Sequence, residues 1–188
     1  MIYFSSDHHF YHKNIIRFSK RPFKDVDEMN EVMIERWNEK VSPTDTVYYL
    51  GDLAFRAGKQ STKSVLERLN GKIHLIEGNH EHDALRNKWR FDSIQGILHI
   101  KVPDTDARGG IQKITLCHYS MQVWKDSHYG SWGLYGHSHG SLDEREGFKS
   151  CDIGVDSWNF YPVSYDEIKE KFKGEFYKYY PPIDHHQE

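Results

Sequence analysis

Two short polar motifs carry metal-ligating side chains at positions two residues apart. One motif is Asp7-His8-His9 and the other is His137-Ser138-His139. In an extended segment, residues two apart point to the same side, so each pair would offer two ligand atoms to a common centre. The middle residue of each motif would point the other way, and this geometry favours His9 over His8 as a ligand.

Three further polar motifs lie between these two along the chain. They are Gly51-Asp52, Gly78-Asn79-His80-Glu81 and His118. A glycine beside a ligand allows the backbone to turn sharply and to approach closely. The donors of the five motifs are carboxylate, carboxamide and imidazole groups without a thiolate. This set suits Mn, Fe, Zn, Co or Ni better than Cu(I) or an iron–sulfur cluster, and it suits the oxygen-preferring Mg and Ca less well.

Each motif directly follows a segment with the composition of a β-strand. Strands are predicted at residues 1–6, 46–50, 72–76, 111–117 and 133–136. Two more are predicted at residues 98–102, which would form a hairpin with 111–117, and at residues 151–155. Sites in open α/β sheets form beyond the carboxyl ends of strands, where loops converge. We therefore predict that the five motifs meet in one cleft.

Amphipathic helices are predicted between these strands. Residues 26–41 have apolar side chains at helical spacing, and Asp25 with Glu28 has the pattern of a capping box. A second helix is predicted at 59–69, and a last one at 165–172 with Ser164 and Glu167 as a second capping box. His82 and Asp83 are interpreted as the start of a short helix. Strands alternate with helices in the first part of the chain, and strands predominate in the second part. This order indicates an α/β layered fold with a mixed sheet.

Length and composition fit one globular domain over residues 1–188, with a tail from about residue 180, including His185 and His186, that we expect to be poorly ordered. The net charge of −3 does not indicate a general binder of polyanions. Cys117 and Cys151 lie in strand-like stretches and are predicted to be buried thiols rather than a disulfide. Since we recognise neither a signal peptide nor a membrane span, we expect a cytoplasmic protein without a membrane partner.

The motifs Asp-x-His, Gly-Asp, Gly-Asn-His-Glu, a lone His after a strand and Gly-His-x-His occur in this order over residues 7–139. Together they resemble the calcineurin-like metallophosphoesterase family. The stretch SDHHFYHKNII, followed by RPF and DVDEMN, resembles a small bacterial and phage branch of it. The resemblance implies an α/β fold, a sandwich of two mixed β-sheets flanked by helices. The chain is short for this family and lacks an obvious cap domain, which leaves the substrate open.

Carried over to this sequence, the resemblance implies two divalent metal ions, with manganese favoured and iron, zinc, cobalt or nickel as alternatives. Asp7, His9 and His139 would hold the first ion, and Asn79, His118 and His137 the second. Asp52 would bridge the two ions. His80 would be catalytic without being a ligand.

The implied activity is a binuclear metal-dependent hydrolysis of phosphate esters. The favoured form is a phosphodiesterase that acts on a small or nucleotide-like substrate by in-line attack of a hydroxide held between the ions. His80 would protonate the leaving group or stabilise the transition state. A phosphomonoesterase, a nuclease and a metal-binding module without catalysis are the alternatives. The near-neutral charge argues against a nuclease, and the presence of His80 argues against a module that only binds metal.

Two other classes of hydrolase fit less well. The His-x-His-x-Asp-His run of metallo-β-lactamases is absent, because Ser141 and Leu142 follow His139-Gly140. The dyad His82-Asp83 is also found in helical phosphohydrolases, but this chain is rich in predicted strands.

Several residues near the motifs could contact substrate. His12 and Tyr119, together with the ligand Asn79, are interpreted as substrate-binding, although a packing role for His12 is equally compatible with its position. Solvated surface is the preferred interpretation for Arg17, Arg21 and Arg56. Trp124 and Trp132 fit either an aromatic wall or the core. Asp156 fits either a turn or a position behind the ligands. The oligomeric state and the role of His8 stay open.

Overall fold

The first strand leads directly into the first polar motif. In the computed structural model, which describes residues 1–143 and 147–173, the elements follow in the order β1 (Ile2–Ser5), α1 (Lys13–Phe18), α2 (Val26–Lys40), β2 (Thr46–Tyr49), α3 (Gly58–Arg68), β3 (Lys72–Ile76), α4 (His82–Leu85), β4 (Phe91–Gln95), β5 (Ile97–Pro103), β6 (Ile111–Cys117), β7 (Trp132–Tyr135), β8 (Ser150–Asp152), β9 (Val163–Ser164) and α5 (Tyr165–Lys171). Every predicted strand and helix is present, with ends that differ by up to three residues. The short helix predicted at His82 and Asp83 is also confirmed.

The first sheet has five strands in the order β4-β3-β2-β1-β9. β1 to β4 are parallel, and β9 runs antiparallel to β1. Because β1, β2 and β3 are parallel neighbours, their carboxyl ends lie at the same edge of the sheet.

The second sheet has four strands in the order β5-β6-β7-β8. β5 and β6 form the predicted antiparallel hairpin, which pairs Ile97 with Cys117 and Pro103 with Ile111. β6, β7 and β8 are parallel. Both sheets are therefore mixed, and the α/β class with two mixed sheets flanked by helices is confirmed.

The two sheets face each other across an apolar core. Phe4 of β1 and Leu116 of β6 are fully buried in this layer. On the other face of the first sheet, α2 and α3 pack through residues such as Trp37 and Leu66. Side chains alternate along β1, so Tyr3 faces the helices and Phe4 faces the second sheet. Each such apolar side chain contributes roughly 1.5–3 kcal/mol by burial.

Side-chain caps define where two of the helices begin. The Ser164 hydroxyl and the Glu167 carboxylate form the predicted capping box of α5. At α2 only half of the predicted box is present: the Asp25 carboxylate accepts from the Glu28 N–H at 2.9 Å. The Glu28 carboxylate accepts instead from the N–H of Lys24, at 2.7 Å. The capping-box pattern in the sequence thus identified where both helices begin, but both hydrogen bonds of the box form only at α5.

The sequence interpretation missed three elements of the described chain: α1, β4 and β9. α1 has six residues and β9 has two, which is too short for a periodic pattern.

The two thiols, Cys117 and Cys151, are free and buried as predicted. None of the helices in residues 1–143 and 147–173 combines the length and the apolar character needed to cross a bilayer.

Candidate metal centre

Five loops meet where the carboxyl ends of parallel strands from the two sheets come together. Three of them follow β1, β2 and β3, and two follow β6 and β7. Main-chain hydrogen bonds join the loops to each other: the Asp7 N–H donates to the Gly51 carbonyl at 3.0 Å, and the Gly136 N–H donates to the His118 carbonyl at 3.0 Å. The five polar motifs consequently lie in one place, as the positions of the strand ends predicted.

The first group of candidate ligands contains Asp7, His9 and His139. Each residue offers one ligand atom, and these atoms lie within 4.8 Å of one another. Asp7 Oδ1 is 3.9 Å from His9 Nε2, and the rings of His9 and His139 stack with centroids 5.1 Å apart. Since metal–nitrogen and metal–oxygen bonds are about 2.0–2.2 Å long, this spacing fits a single cation between the three atoms.

The second group contains Asp52, His118 and His137, whose ligand atoms again lie within 4.8 Å of one another. His118 Nε2 is 3.2 Å from His137 Nδ1 and 3.1 Å from the side-chain oxygen of Asn79. Asn79 thus adds an amide oxygen to this group. Together the two groups contain all seven residues for which the sequence suggested a metal-binding role.

Asp52 lies between the two groups. Its Oδ2 atom is 3.5 Å from His9 Nε2 in the first group and 3.7 Å from His118 Nε2 in the second. Its Oδ1 atom is already occupied, because it accepts the main-chain N–H of His80 at 2.8 Å. Only Oδ2 is therefore directed at both groups, which is the position that a bridging carboxylate takes.

The protonation of His118 provides a test of whether a cation fits. Its Nδ1 atom lies 2.6 Å from the Leu50 carbonyl, which can only accept, so this nitrogen carries the proton. In the neutral ring Nε2 then carries a lone pair and is an acceptor. This lone pair faces the Asn79 oxygen and the Asp52 carboxylate, which are also acceptors. The remaining neighbour, His137 Nδ1 at 3.2 Å, could donate to only one of these atoms, so at least two acceptors still converge and repel each other. A cation at this point would satisfy all of them.

Asp7 provides the same test for the first group. Its Oδ2 atom accepts from the Ser6 hydroxyl at 2.6 Å and from the His137 N–H at 2.8 Å. Its Oδ1 atom and both ring nitrogens of His9 are buried without a hydrogen-bond partner. Burial raises the pKa of the Asp7 carboxyl to about 7 and strongly lowers the pKa of His9. A buried carboxylate with a free oxygen is unfavourable by itself, and a bound cation offsets this cost.

The backbone of the ligand loops differs from the extended conformation that the sequence spacing suggested. Asp7, His9, His137 and His139 have φ angles between 48° and 66°, in the left-handed region that non-glycine residues rarely adopt. Asp7 and His9 still share the first group, but His137 belongs to the second group and His139 to the first. The prediction that each pair serves a common centre is wrong for His137 and His139, because the intervening turn sends their rings to different groups.

His8 points away from the centre, as expected. It is fully buried, and its Nδ1 atom is 3.0 Å from the Tyr49 hydroxyl. The ring also stacks on Phe10 at 5.1 Å and contacts the edge of Trp37 at 5.6 Å. Burial, followed by the charge of Arg21, lowers the pKa of His8 to about 3. His8 is thus a neutral core residue that anchors the loop after β1.

Arg21 is the clearest correction to the sequence interpretation, because its side chain is fully buried rather than solvated. Its guanidinium group binds both carboxylate oxygens of Asp156 at 2.8 Å and also donates to the carbonyls of Asp7 and His8. Asp156 Oδ2 in turn lies 2.7 Å from Nδ1 of His139. The remaining ring nitrogen of His139, Nε2, is free to act as a ligand, and Asp156 orients it.

Glu81 is a second residue to which the sequence analysis gave no role, although it belongs to the third motif. It is buried, and its carboxylate accepts the main-chain N–H of Asp52. Burial, then the charge of Asp52, raises the pKa of Glu81 to about 8. Since Asp52 has a left-handed backbone (φ 59°), this bond holds a strained residue in position.

Aromatic side chains surround the opening beside the two groups. The half-buried ring of His80 lies 5.7 Å from the ring of His9 and 4.9 Å from that of Phe55. His12 stacks on Phe55 at 4.1 Å on one side of the opening. On the other side, Tyr119 is 47% exposed and contacts the ring of His137 at 5.1 Å.

The remaining candidate residues lie away from the centre or outside the described residues. Trp124 and Trp132 are buried, so of their two interpretations the core position is confirmed. Arg17 and Arg56 are exposed. His185 and His186 lie outside the described residues.

The fold and the site together describe an α/β protein of two mixed sheets with a cluster of His and Asp residues that could hold metal ions. No model of a known protein family matches the chain. The uncharacterized protein MJ1445 of Methanocaldococcus jannaschii is 35% identical over 173 residues, which cover 89% of this chain and 88% of that protein. The chain belongs to the family of this archaeal protein.

More distant relatives span the same length. The Gene 66 protein of Mycobacterium phage L5 is 26% identical over 88% of this chain and 91% of its own length. A crystal structure of a protein of unknown function, AQ665 from Aquifex aeolicus, superposes with a TM-score of 0.67 and 26% identity, and the match covers 91% of this chain and 98% of that one. The fold is thus shared with the Aquifex aeolicus protein, and the archaeal and phage relatives align over nearly the whole of this chain.

Proposed function

We propose that this protein is a metal-dependent hydrolase of phosphate esters with a binuclear centre, and that its two-sheet fold is that of the calcineurin-like metallophosphoesterases. The observation that carries the proposal is the position of Asp52, whose Oδ2 atom lies 3.5 Å from His9 Nε2 and 3.7 Å from His118 Nε2. One carboxylate oxygen that faces two groups of ligands is suited to two ions a few ångströms apart.

The chemistry of the donor set supports divalent transition metals, and the family resemblance favours manganese among them. When bound, such ions would supply a nucleophilic water near neutral pH and would neutralise the charge of phosphoryl oxygens. The ligands mix imidazole nitrogens with carboxylate and amide oxygens, and the described residues of the centre include no thiolate.

The residues of the chain have separate tasks in this proposal. His80 stands beside the centre, where its ring can donate a proton to the departing oxygen of the ester. Its main-chain N–H donates to Asp52 Oδ1 at 2.8 Å, which links the orientation of the bridging carboxylate to the segment that carries the proton donor. Asn79 offers an amide that can bind both a cation and a phosphoryl oxygen.

A phosphodiesterase with a small or nucleotide-like substrate is the favoured form, and a phosphomonoesterase is the alternative. The distinguishing experiment loads the protein with Mn²⁺ and compares 4-nitrophenyl phosphate with bis(4-nitrophenyl) phosphate. Turnover of the diester alone supports the phosphodiesterase, and turnover of the monoester alone supports the phosphatase. Two bound ions without hydrolysis of either ester would contradict the enzyme and favour a module that only binds metal.

Asp52→Asn tests the binuclear assignment. We expect the fold to be retained, the metal content to fall from two ions per chain, and the rate to fall by at least about 100-fold, because even residues behind the ligands change metal affinity by 10–100-fold. Asp45→Asn is a matched control, since Asp45 pairs with the amino terminus rather than with the centre. Wild-type rates in Asp52→Asn would remove the bridging role.

A further inference from the structure

A continuous row of aromatic and guanidinium groups lies beside the candidate metal centre at the surface. The row consists of Arg17, Phe18, His12, Phe55 and Arg56. The Arg17 guanidinium carbon lies 5.2 Å from the centroid of Phe18, whose ring meets the ring of His12 at 6.3 Å. His12 stacks on Phe55 at 4.1 Å, and the guanidinium carbon of Arg56 lies 5.2 Å from the Phe55 centroid.

The middle of this row, formed by His12 and Phe55, lies against the centre itself. The ring of His12 is 5.4 Å from that of the candidate ligand His9, and Phe55 is 4.9 Å from that of the candidate proton donor His80. A group esterified to a phosphate at the centre could therefore extend along these rings. The row is placed to contact the substrate beyond the scissile bond.

Both ends of the row are open to solvent. Phe18 is 62% exposed, and Arg17 and Arg56 are exposed as well. Within residues 1–143 and 147–173, neither arginine forms an ion pair with a carboxylate. The ring of Phe18 and the two guanidinium groups are consequently accessible to a ligand.

The two segments that carry the row are basic in sequence, although the whole chain has a net charge of −3. The Asp83 carboxylate accepts the Gly58 N–H at 3.0 Å and Glu67 pairs with Lys63 at 3.5 Å, so the charges open to a ligand are those of Arg17 and Arg56. No acidic residue occurs between Asp7 and Asp25, a segment that includes Lys13, Arg17 and Lys20. The segment from Leu53 to Leu66 also lacks acidic residues and includes Arg56, Lys59 and Lys63. The two segments are joined by the hydrogen bond from the Tyr11 hydroxyl to the Ser61 carbonyl at 3.3 Å.

We propose that this row binds one nucleotide unit of the substrate, with the base stacked on the aromatic rings and a second phosphate bound by Arg17 or Arg56. A base has the flat π-face that exposed aromatic rings accept, and guanidinium groups bind phosphate with paired hydrogen bonds. An acidic peptide would use the charges but not the rings. The row contains one exposed phenylalanine, which can stack on one base. Its size therefore matches one nucleotide. The inference relies on the proposed activity only for the position of the scissile ester.

Equilibrium binding to the metal-free protein tests the row without catalysis. The probes are adenosine 3′,5′-bisphosphate, adenosine 5′-monophosphate and ribose 5-phosphate, measured by titration calorimetry. We expect the base to increase affinity over ribose 5-phosphate by at least about fivefold, the lower range of base–aromatic stacking. Phe18→Ala should abolish this increase. Arg17→Gln or Arg56→Gln should weaken the bisphosphate by several-fold more than the monophosphate.

A matched control exists in the turn between β5 and β6, where Arg108 lies over the ring of Tyr129 at 5.4 Å. Arg108→Gln removes the same kind of contact away from the row and should leave all three affinities unchanged. Thermal melting checks the fold of each variant. Equal affinity for adenosine 5′-monophosphate and ribose 5-phosphate, or an Arg108→Gln effect as large as those of the row variants, would overturn the nucleotide site.

Hydrolysis of methyl 4-nitrophenyl phosphate by the Mn²⁺-loaded protein separates this inference from the proposed function. Turnover without preferential nucleotide binding overturns the row and leaves the phosphoesterase intact. Nucleotide binding that depends on Phe18, without turnover of any ester, supports the row as a nucleotide site and overturns the phosphoesterase.

Discussion

Arg21 and Asp156 form a buried bidentate ion pair directly behind the candidate metal centre. Nε and Nη2 of Arg21 each donate to one carboxylate oxygen of Asp156 at 2.8 Å. The same guanidinium group donates to the Asp7 carbonyl at 2.7 Å, and Asp156 is 2.7 Å from the ring of His139. One arginine therefore connects two ligands of the first group that come from opposite ends of the chain.

Arg21→Lys should weaken metal binding at the first group by about 10–100-fold, the range found for residues that orient ligands. A lysine keeps the charge but cannot make the paired bonds to Asp156 and reach two carbonyls as well. Calorimetric titration with Mn²⁺, or the visible absorption of bound Co²⁺, measures the change in affinity and geometry. Arg68→Lys is the matched control, because Arg68 also pairs with both oxygens of one carboxylate, that of Glu31, but on the surface.

A lower melting temperature alone would be expected from any disturbed buried ion pair. The positioning role requires that Arg21→Lys changes metal affinity or the Co²⁺ spectrum. If both stay at wild-type values while stability falls, the pair is only structural.

His80→Ala should lower the rate of hydrolysis by about 10²–10⁴-fold for an alkyl phosphate ester, whose departing alkoxide needs a proton, and by much less for a 4-nitrophenyl ester, which releases a stable phenolate. Two bound ions should remain, because the described ligand groups do not contain the His80 ring. Added imidazole should restore part of the rate. His82→Ala is the control two residues away, with a side chain that is 84% exposed. Loss of metal from His80→Ala would make this residue a ligand and contradict its assigned role.

The stability of the metal-free protein should fall as the pH rises from 6.5 to 8. The pKa of Asp7 is raised to about 7 and that of Glu81 to about 8, in both cases mainly by burial, whereas unfolded carboxyl groups have pKa values of about 4. The folded protein therefore holds protons that the unfolded chain has released, and stability decreases with pH across this window. Below about pH 6.5, protonation of histidines that burial keeps neutral, such as His8 and His9, has the opposite effect.

Bound cations favour the ionised form of Asp7, so the gain in melting temperature on adding Mn²⁺ should be larger at pH 8 than at pH 6.5. Melting curves with and without the metal measure this difference. In Asp7→Asn the metal-free protein should lose part of its decline in stability with pH. A metal-induced gain that is independent of pH would show that Asp7 is already ionised without a cation.

The polar motifs made the position of the centre predictable, because each follows a strand and the parallel strands end at common edges. The assignment of Asn79, His118 and His137 to one group came from the family resemblance. Spacing alone predicted a common centre for His137 and His139, since it assumed extended backbone where the loops have positive φ angles. A left-handed residue reverses the chain locally, and although Asp and His adopt this conformation more often than most residues, the residue type alone does not show which of them does so.

The residues behind the ligands were the least predictable part of the site. Arg21 looks like any surface arginine in the sequence, and its partner Asp156 is far away along the chain. Only the return of the chain after β8 brings the two together. The row formed by Arg17, Phe18, His12, Phe55 and Arg56 was hidden for the same reason, since it joins two segments that are separated by α2 and β2.

Gly78→Ala should displace Asp52 and lower the metal content of the protein. A Cβ atom at this position would overlap Asp52 Oδ1 and lie 2.9 Å from the Asp52 amide nitrogen, a backbone atom that cannot easily move. Gly96→Ala is the matched control: a Cβ atom there has no neighbour within 4 Å, and Gly96, like Gly78, does not have a positive φ angle. Gly96→Ala should be neutral or stabilise by about 0.4–1 kcal/mol through the unfolded state. Metal analysis and chemical denaturation measure both effects, and a Gly78→Ala protein with two tightly bound ions would show that the close approach of these loops is dispensable.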